Sequence, residues 1–250
     1  MVAEAGGTDR GRAVPKPNDV QAHVTTFWGT VAADYEAHAG NVAAYGSAEY
    51  QRWVDTLASV LPDPPGDVLD VASGTGYLAL AAASLGHRVT AVDLAPAMLH
   101  ELVANATTRG LAVDARLGDA VAPDFSPASF DAVTSRHLLW TLLEPASAMV
   151  NWRELLRPGG RLVAVDGFWF TKWDDDDVPA LFAEHYTADA RGHLPFMHLD
   201  RPEPILRMLT AAGFVDLAVE PRPDLSLGGG VPYLITATRP DEPTGDAVHD

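Results

Sequence analysis

Cysteine does not occur in the 250 residues. Its absence excludes disulfides, thiolate metal sites and thiol nucleophiles. Basic residues are scarce, 17 against 34 acidic ones, so the formal net charge is −17. A field of that sign repels phosphate backbones, and nucleic acid is not expected as a partner. No apolar run approaches the roughly 18 residues that a membrane span needs, so no membrane association is expected. Residues 1–19 lack the apolar core of a signal peptide and are rich in glycine, proline and charge. They read as a flexible N-terminal arm on a cytoplasmic protein, and 239–250 as a flexible tail.

Hydrophobic residues make up 47% of the chain, enough for a full core at a length that fits one domain. A first helix is expected over 20–37, with Trp28, Val31 and Tyr35 on one face. A second spans 47–61 and is ended by Pro62, Pro64 and Pro65. From there strands at 67–72, 88–93, 112–118, 129–135 and 160–166 alternate with helices at 76–85, 96–109 and 144–157. Pro158-Gly159-Gly160 reads as a helix stop and turn. Short strands with little alternation suit a sheet covered on both faces. Alternation of the two element types predicts an α/β, Rossmann-like parallel sheet with helices on both faces. The last third departs from this pattern. A long aromatic connection, 167–201, precedes a helix at 202–212. Two consecutive strands, 214–220 and 232–238, should then pair antiparallel.

One stretch carries the chemistry. The apolar run Val68-Leu69-Asp70-Val71 leads into Ala72-Ser73-Gly74-Thr75-Gly76 and then an Ala/Leu-rich helix. A strand, a glycine turn and a helix in this order let a ligand approach bare backbone. Two cofactor readings follow. Gly74-x-Gly76-x-x-Ala79, with Asp93 19 residues after Gly74, fits the dinucleotide fingerprint of an NAD(P)-dependent oxidoreductase. Asp70, however, places a second negative charge at the turn, which disfavours a pyrophosphate and favours a ligand bearing an ammonium and a sulfonium. Gly118-Asp119-Ala120 adds an acceptor at the same sheet edge, and the terminal strand pair is foreign to ordinary dinucleotide folds.

The segments VLDVASGTGYLALAAASLGHRVTAVDLAPAML, RLGDA, FDAVTSRHLLWTL and LRPGGRLVAVDG together resemble the class I S-adenosylmethionine (SAM)-dependent methyltransferases. The resemblance implies a seven-stranded mixed sheet whose last strand is inserted antiparallel, within one domain over 20–238. Segments 20–61 and 167–201 would form a small helical cap. It implies that Asp70, Ala72, Ser73, Gly74 and Gly76 hold the methionine part of the cofactor and that Asp93 binds the ribose. Leu94 and Met98 would flank adenine, and Asp119 and Ala120 would read its edge. Ser135 would end the fourth strand beside the transferring methyl. Many relatives carry Cys or Gly where this chain has Ala72-Ser73.

The implied reaction methylates an O or N atom of a small, partly apolar molecule, such as a specialised metabolite, releasing S-adenosylhomocysteine (SAH). A SAM-binding protein that does not methylate is the other reading of the same fold. His137 could take a proton from the acceptor or could be structural. Trp28, Tyr35, Arg136 and Trp140 are the candidate substrate-binding residues. His185, His193 and His198 share no metal-ligand spacing, and no metal is expected. Asp174–Asp177 reads as a solvated loop and Gly228–Gly230 as a hairpin loop. A monomer or homodimer is expected.

Overall fold

The computed structural model describes residues 17–37, 44–171, 179–226 and 230–241. Residues 1–16, the acidic run Asp174–Asp177, Gly228, Gly229 and the tail from 242 onward lie outside the described residues. Seven strands form one sheet: β1 (Asp67–Val71), β2 (Arg88–Asp93), β3 (Val113–Leu117), β4 (Phe130–Arg136), β5 (Leu156–Asp166), β6 (Val215–Pro221) and β7 (Tyr233–Thr238). Their order is β3-β2-β1-β4-β5-β7-β6. The first five run parallel, and β7 is antiparallel to both β5 and β6, as the sequence predicts. Parallel neighbours need crossovers, supplied by α3 (Tyr77–Ser84) and α4 (Pro96–Arg109) among β1, β2 and β3. The chain builds outward from β1 to β3, then returns to place β4 on the other side of β1. The carboxyl ends of β1 and β4 therefore flank a switch point, where open α/β sheets bind ligands.

The central strands are buried on both faces. Leu69 and Val133 pack against Met149 and Trp152 of α5 (Pro145–Leu155). On the opposite face Val68 and Val163 meet Leu78 of α3 and Trp53 and Leu57 of α2 (Ala48–Val60). Ser47 caps α2 by accepting from the amide of Tyr50 at 3.1 Å. The fully buried Trp152 donates its indole N–H to the carbonyl of Ala120 at 2.6 Å, fastening the segment after β3 to α5.

Three expectations change. The sequence predicts a helix over 20–37, but α1 (Pro17–Val31) ends at Val31 and Ala32–Ala37 tightens into a 3-10 helix. β3 is not covered on both faces: it is an edge strand with Leu117 64% exposed and a surface Arg116–Asp114 ion pair. Charged side chains on such an edge discourage pairing with another chain. Pro158-Gly159-Gly160 is not a turn. α5 stops at Leu155, and β5 runs through these residues as a bulge whose register shifts opposite Phe130 and Ala132. Gly159 takes φ +73°, and a Cβ on Gly160 would lie 2.7 Å from the Arg157 carbonyl oxygen, so the bulge admits only glycine there. The connection 167–201 holds two short helices, α6 (Ala180–His185) and α7 (Ala188–Gly192). The helix expected at 202–212 is present as α8 (Glu203–Ala211).

Helices α1 and α6 meet above the carboxyl end of the sheet. Phe27 packs edge-on against Phe182 at 5.3 Å and Tyr186 at 5.5 Å between ring centroids. The Trp28 indole N–H donates to the Tyr186 hydroxyl at 3.1 Å, which lies 2.9 Å from Thr141 Oγ1 beyond β4. A roof made from two distant parts of the chain is thereby tied to the sheet edge.

Candidate active site

β1 ends in a strained loop. Ala72 takes φ +51°, left-handed for a residue with a Cβ, followed by Gly74 at +55° and Gly76 at +95°. Asp93, at the tip of β2, stitches this loop to the next turn. Its Oδ2 accepts from the amide of Gly74 at 2.9 Å and its Oδ1 from that of Ala95 at 2.8 Å, with Leu94 contributing a further backbone bond. Burial raises its pKa, and these N–H donors oppose that shift.

Asp70 has a different task. Its Oδ2 accepts from the amide of Ala79 at 3.1 Å and its Oδ1 from the Thr134 hydroxyl at 2.7 Å. Helix α3 begins at Gly76, which has no side chain to cap it. Asp70 supplies the missing acceptor from β1, an anion placed at the positive end of the helix. Burial pushes its carboxyl up to about 7, against both hydrogen bonds. Asp119 is exposed, and its Oδ1 accepts from the amide of Val121 at 2.8 Å.

The three acids line one cleft, together with Ala72, Ser73, Gly74, Leu94, Met98 and Ala120. Two expected members do not join them. Gly76 is absent from the lining and faces Leu102 of α4, and Ser135 is buried and lines neither cavity of the site. The glycine requirement at Gly76 is one of packing: a Cβ there would sit 2.8 Å from Leu102 Cγ, at φ +95°. Gly76→Ala should destabilise the fold by about 1–3 kcal/mol. A urea denaturation midpoint equal to the parent's would show that Leu102 yields at no cost.

Two hydroxyls of the cleft loop, Ser73 Oγ and Thr75 Oγ1, are buried with no hydrogen-bond partner among the described residues. A Cβ on Gly74 would find nothing nearer than Met98 Sδ at 3.9 Å. The loop therefore presents unsatisfied polar atoms beside open space, where a ligand can satisfy them.

A second cavity of about 570 Å³ adjoins the cleft. Its walls are aromatic: Phe27 and Trp28 from α1, Trp53 from α2, Trp140 after β4, Trp169 and Phe170 after β5, and Phe182 from α6. Trp140 lies here and not in the cleft, 4.8 Å from the Phe170 ring. Phe182 and Tyr186 stack at 4.3 Å with their planes 11° apart. Trp28, Tyr35, Arg136 and His137 line both cavities and form the wall between them.

Arg136 lies over the Tyr77 ring at 4.4 Å and the Trp53 ring at 5.3 Å, and donates to the Tyr35 hydroxyl at 3.4 Å. No carboxylate is found among the described residues that line the chamber. His137 follows β4 with φ +55°, its amide bonded to the carbonyl of Val165 at 2.9 Å. Burial, and then the neighbouring Arg136 charge, hold its imidazole well below the ordinary histidine range. The ring is therefore neutral at pH 7 and able to accept a proton. Among the described residues no group of three His, Asp or Glu could hold a metal ion, and no helix is long and apolar enough to cross a membrane. The sequence pattern missed Thr75, Tyr77 and Thr141 as lining residues. Thr75 was the one within reach, because it sits inside the glycine turn.

Residues 69–164 match the family model described as a methyltransferase domain. A ubiquinone biosynthesis O-methyltransferase from Xylella fastidiosa (strain 9a5c) is 36% identical over 112 residues, covering 44% of this chain and 45% of that protein. The chain spans about half the length of the curated relatives it matches. A Haemonchus contortus phosphoethanolamine N-methyltransferase 2, solved with phosphomonomethylethanolamine and S-adenosylhomocysteine, superposes with a TM-score of 0.66. It is 20% identical, over 91% of this chain and 61% of that one. The [4+2]-cyclase SpnF superposes with a TM-score of 0.62 at 20% identity, over 92% of this chain and 98% of that one. At these identities the likeness to both structures is one of fold.

Proposed function

We propose, from the premise that this chain carries a class I SAM-dependent methyltransferase domain, that it methylates an oxygen or nitrogen atom of a small, partly apolar molecule. The observation that carries this reading is the shared wall: a polar cleft and an aromatic chamber meet at Trp28, Tyr35, Arg136 and His137. Such a layout gives a donor and an acceptor separate seats with one point of contact.

The cleft fits the donor. Ser73 and Thr75 offer buried hydroxyls in want of partners, next to the open backbone of Gly74. Ala72, Ser73 and Gly74 would hold its methionine part, Asp93 its ribose, and Leu94, Met98, Asp119 and Ala120 its adenine. Asp70 would act through charge and by fixing the turn, since both its oxygens already have protein donors. SAM would supply a methyl already activated on a sulfonium.

The chain's own contribution is alignment, which is worth on the order of 7–11 kcal/mol when two reactants are held in contact geometry. The chamber's volume of about 570 Å³ falls in the range that encloses small organic ligands. Its aromatic walls suit a flat, apolar acceptor body. His137, neutral at pH 7, would take the proton of an acceptor hydroxyl or amine. Arg136 would favour an oxygen that becomes negative over an amine that is already positive, and for that reason we favour oxygen.

The test combines binding with turnover. The protein is titrated with SAH and with NADH, then incubated with SAM and a panel of hydroxylated and amino-substituted aromatic compounds. We expect SAH to bind, and one compound class to gain the mass of a methylene by mass spectrometry. NADH binding without SAH binding would reverse the cofactor assignment. SAH binding with no methylated product across the panel would favour a SAM-binding protein that does not methylate.

A further inference from the structure

Beyond β5 lies a cluster that neither the motifs nor the cofactor cleft accounts for. Asp166 is 5% exposed and ends β5. Its Oδ2 accepts from the amide of Leu139 at 2.7 Å and its Oδ1 from that of Gly167 at 2.8 Å. The amide of Leu138 and the indole N–H of Trp169 also bond to this carboxylate. One acid thus grips the two residues that follow His137 and, at the same time, the indole three residues along its own strand exit.

The indole is held from three further sides. It folds back on Gly167 so closely that a Cβ there would collide with Trp169 Cζ2, so glycine at 167 makes room for the indole. Its far edge reaches Gly230, where a Cβ would lie 3.3 Å from Cζ3. Its ring stands edge-on to the His137 imidazole, with centroids 5.2 Å apart and planes at 75°. Trp169 lines the chamber and not the cleft, so it braces the imidazole, which also lines the chamber, from the acceptor side.

We infer that Trp169, anchored by Asp166, is a positioning residue that fixes the His137 imidazole and keeps water from it at the wall between cleft and chamber. This rests on the proposed role of that wall as the place where the acceptor reacts. The physical reasoning is direct. His137 is on a left-handed backbone immediately after a strand, where a short side chain has little to lean on. The charge that acts on it is Arg136 from its own strand, while Asp166 at the end of β5, whose carboxyl burial raises to about 7, is bonded to Leu138 and Leu139 just beyond it. Among the described residues the roof adds Trp28 and Tyr35 to the wall they share. Removing the indole admits water to the ring, and hydration favours the imidazolium.

The test reads the imidazole and not turnover. The His137 ring is titrated by NMR in the SAH complex of the parent, Trp169→Leu and Trp169→Phe. SAH affinity, measured by calorimetry, reports whether the cleft is intact. In Trp169→Leu the imidazole should titrate higher by about one pH unit, a tenfold change in proton affinity, with SAH affinity unchanged. Trp169→Phe keeps an aromatic edge but loses the donor to Asp166, and its shift should be in the same direction and smaller. If Trp169→Leu binds SAH and titrates like the parent, Trp169 is only a wall of the chamber and the inference fails. Should Trp169→Leu lose SAH binding, Trp169→Phe decides in the same way. Absence of methyl transfer would overturn the proposed reaction and leave this result standing, so the two failures are distinguishable.

Discussion

His137→Ala should lower kcat by about 10²–10⁴-fold, the contribution expected of a general base, while SAH affinity stays at the parental value. The split follows from where the ring sits. It lines both cavities yet makes no hydrogen bond to the loop at 72–76 or to Asp93 among the described contacts, so its loss leaves the cofactor cleft standing. Backbone cost does not confuse the comparison. At φ +55° alanine meets much the same left-handed penalty, and His137→Asn, whose side chain tolerates that conformation best, serves as the control.

The pH profile sharpens this test. With its imidazole held well below the ordinary histidine range, His137 should set an acid limb below the one that protonation of Asp70, at about 7, would give. Activity should fall only on the acid side, as the ring gains its proton and can no longer accept one. His137→Ala should be slow and lack that acid limb. Equal losses of kcat and SAH affinity would assign the residue a structural role instead.

Asp93→Ala should weaken SAH binding roughly 10- to 100-fold, as expected for losing charge-assisted hydrogen bonds worth about 1.5–3 kcal/mol. The carboxylate does two things at once. It would accept from the ribose, and it holds the amides of Gly74 and Ala95. Alanine removes both, and the stranded N–H groups should loosen the Gly74 turn. Asp93→Asn separates the effects, because one carbonyl oxygen remains to accept. We expect an intermediate affinity in calorimetry. An unchanged affinity in Asp93→Ala would remove the residue from the site.

The strand-turn-helix order and the cleft acids were legible because their chemistry is local. Glycines at 74 and 76 and acids at strand tips are fixed by backbone geometry that repeats along an α/β chain. The direction a side chain takes is not local. Asp70 reads in sequence as a charge carried into the turn, but it bonds to Ala79 and Thr134, residues nine and 64 positions away. Ser135 reads as a cleft residue, but strand alternation turns it inward. β3 reads as covered by analogy with its neighbours, although Asp114 and Arg116 within it already suit the exposed edge at which the strand order places it. The chamber was least legible. Its aromatic side chains come from α1, α2, the segment after β4 and 167–201, the last of which has no period to read, and they converge only when α6 docks on α1. Asp166 and Trp169 left one trace in the sequence, the glycine between them, whose need for a bare Cα becomes apparent only with the indole in place.

The roof draws on two stretches of chain that are far apart in sequence, while the cleft is made by the sheet, its loops and one face of α1, which contributes Gln21, Val24, Thr25 and Trp28. On the proposed reading, acceptor choice and donor use would reside in largely different residues, and among the described residues four side chains line both cavities. On that reading, changes among the chamber's aromatic residues that leave the cleft-facing side of α1 alone would retune the accepted molecule, and Trp28, Tyr35, Arg136 and His137 are where such change would meet resistance.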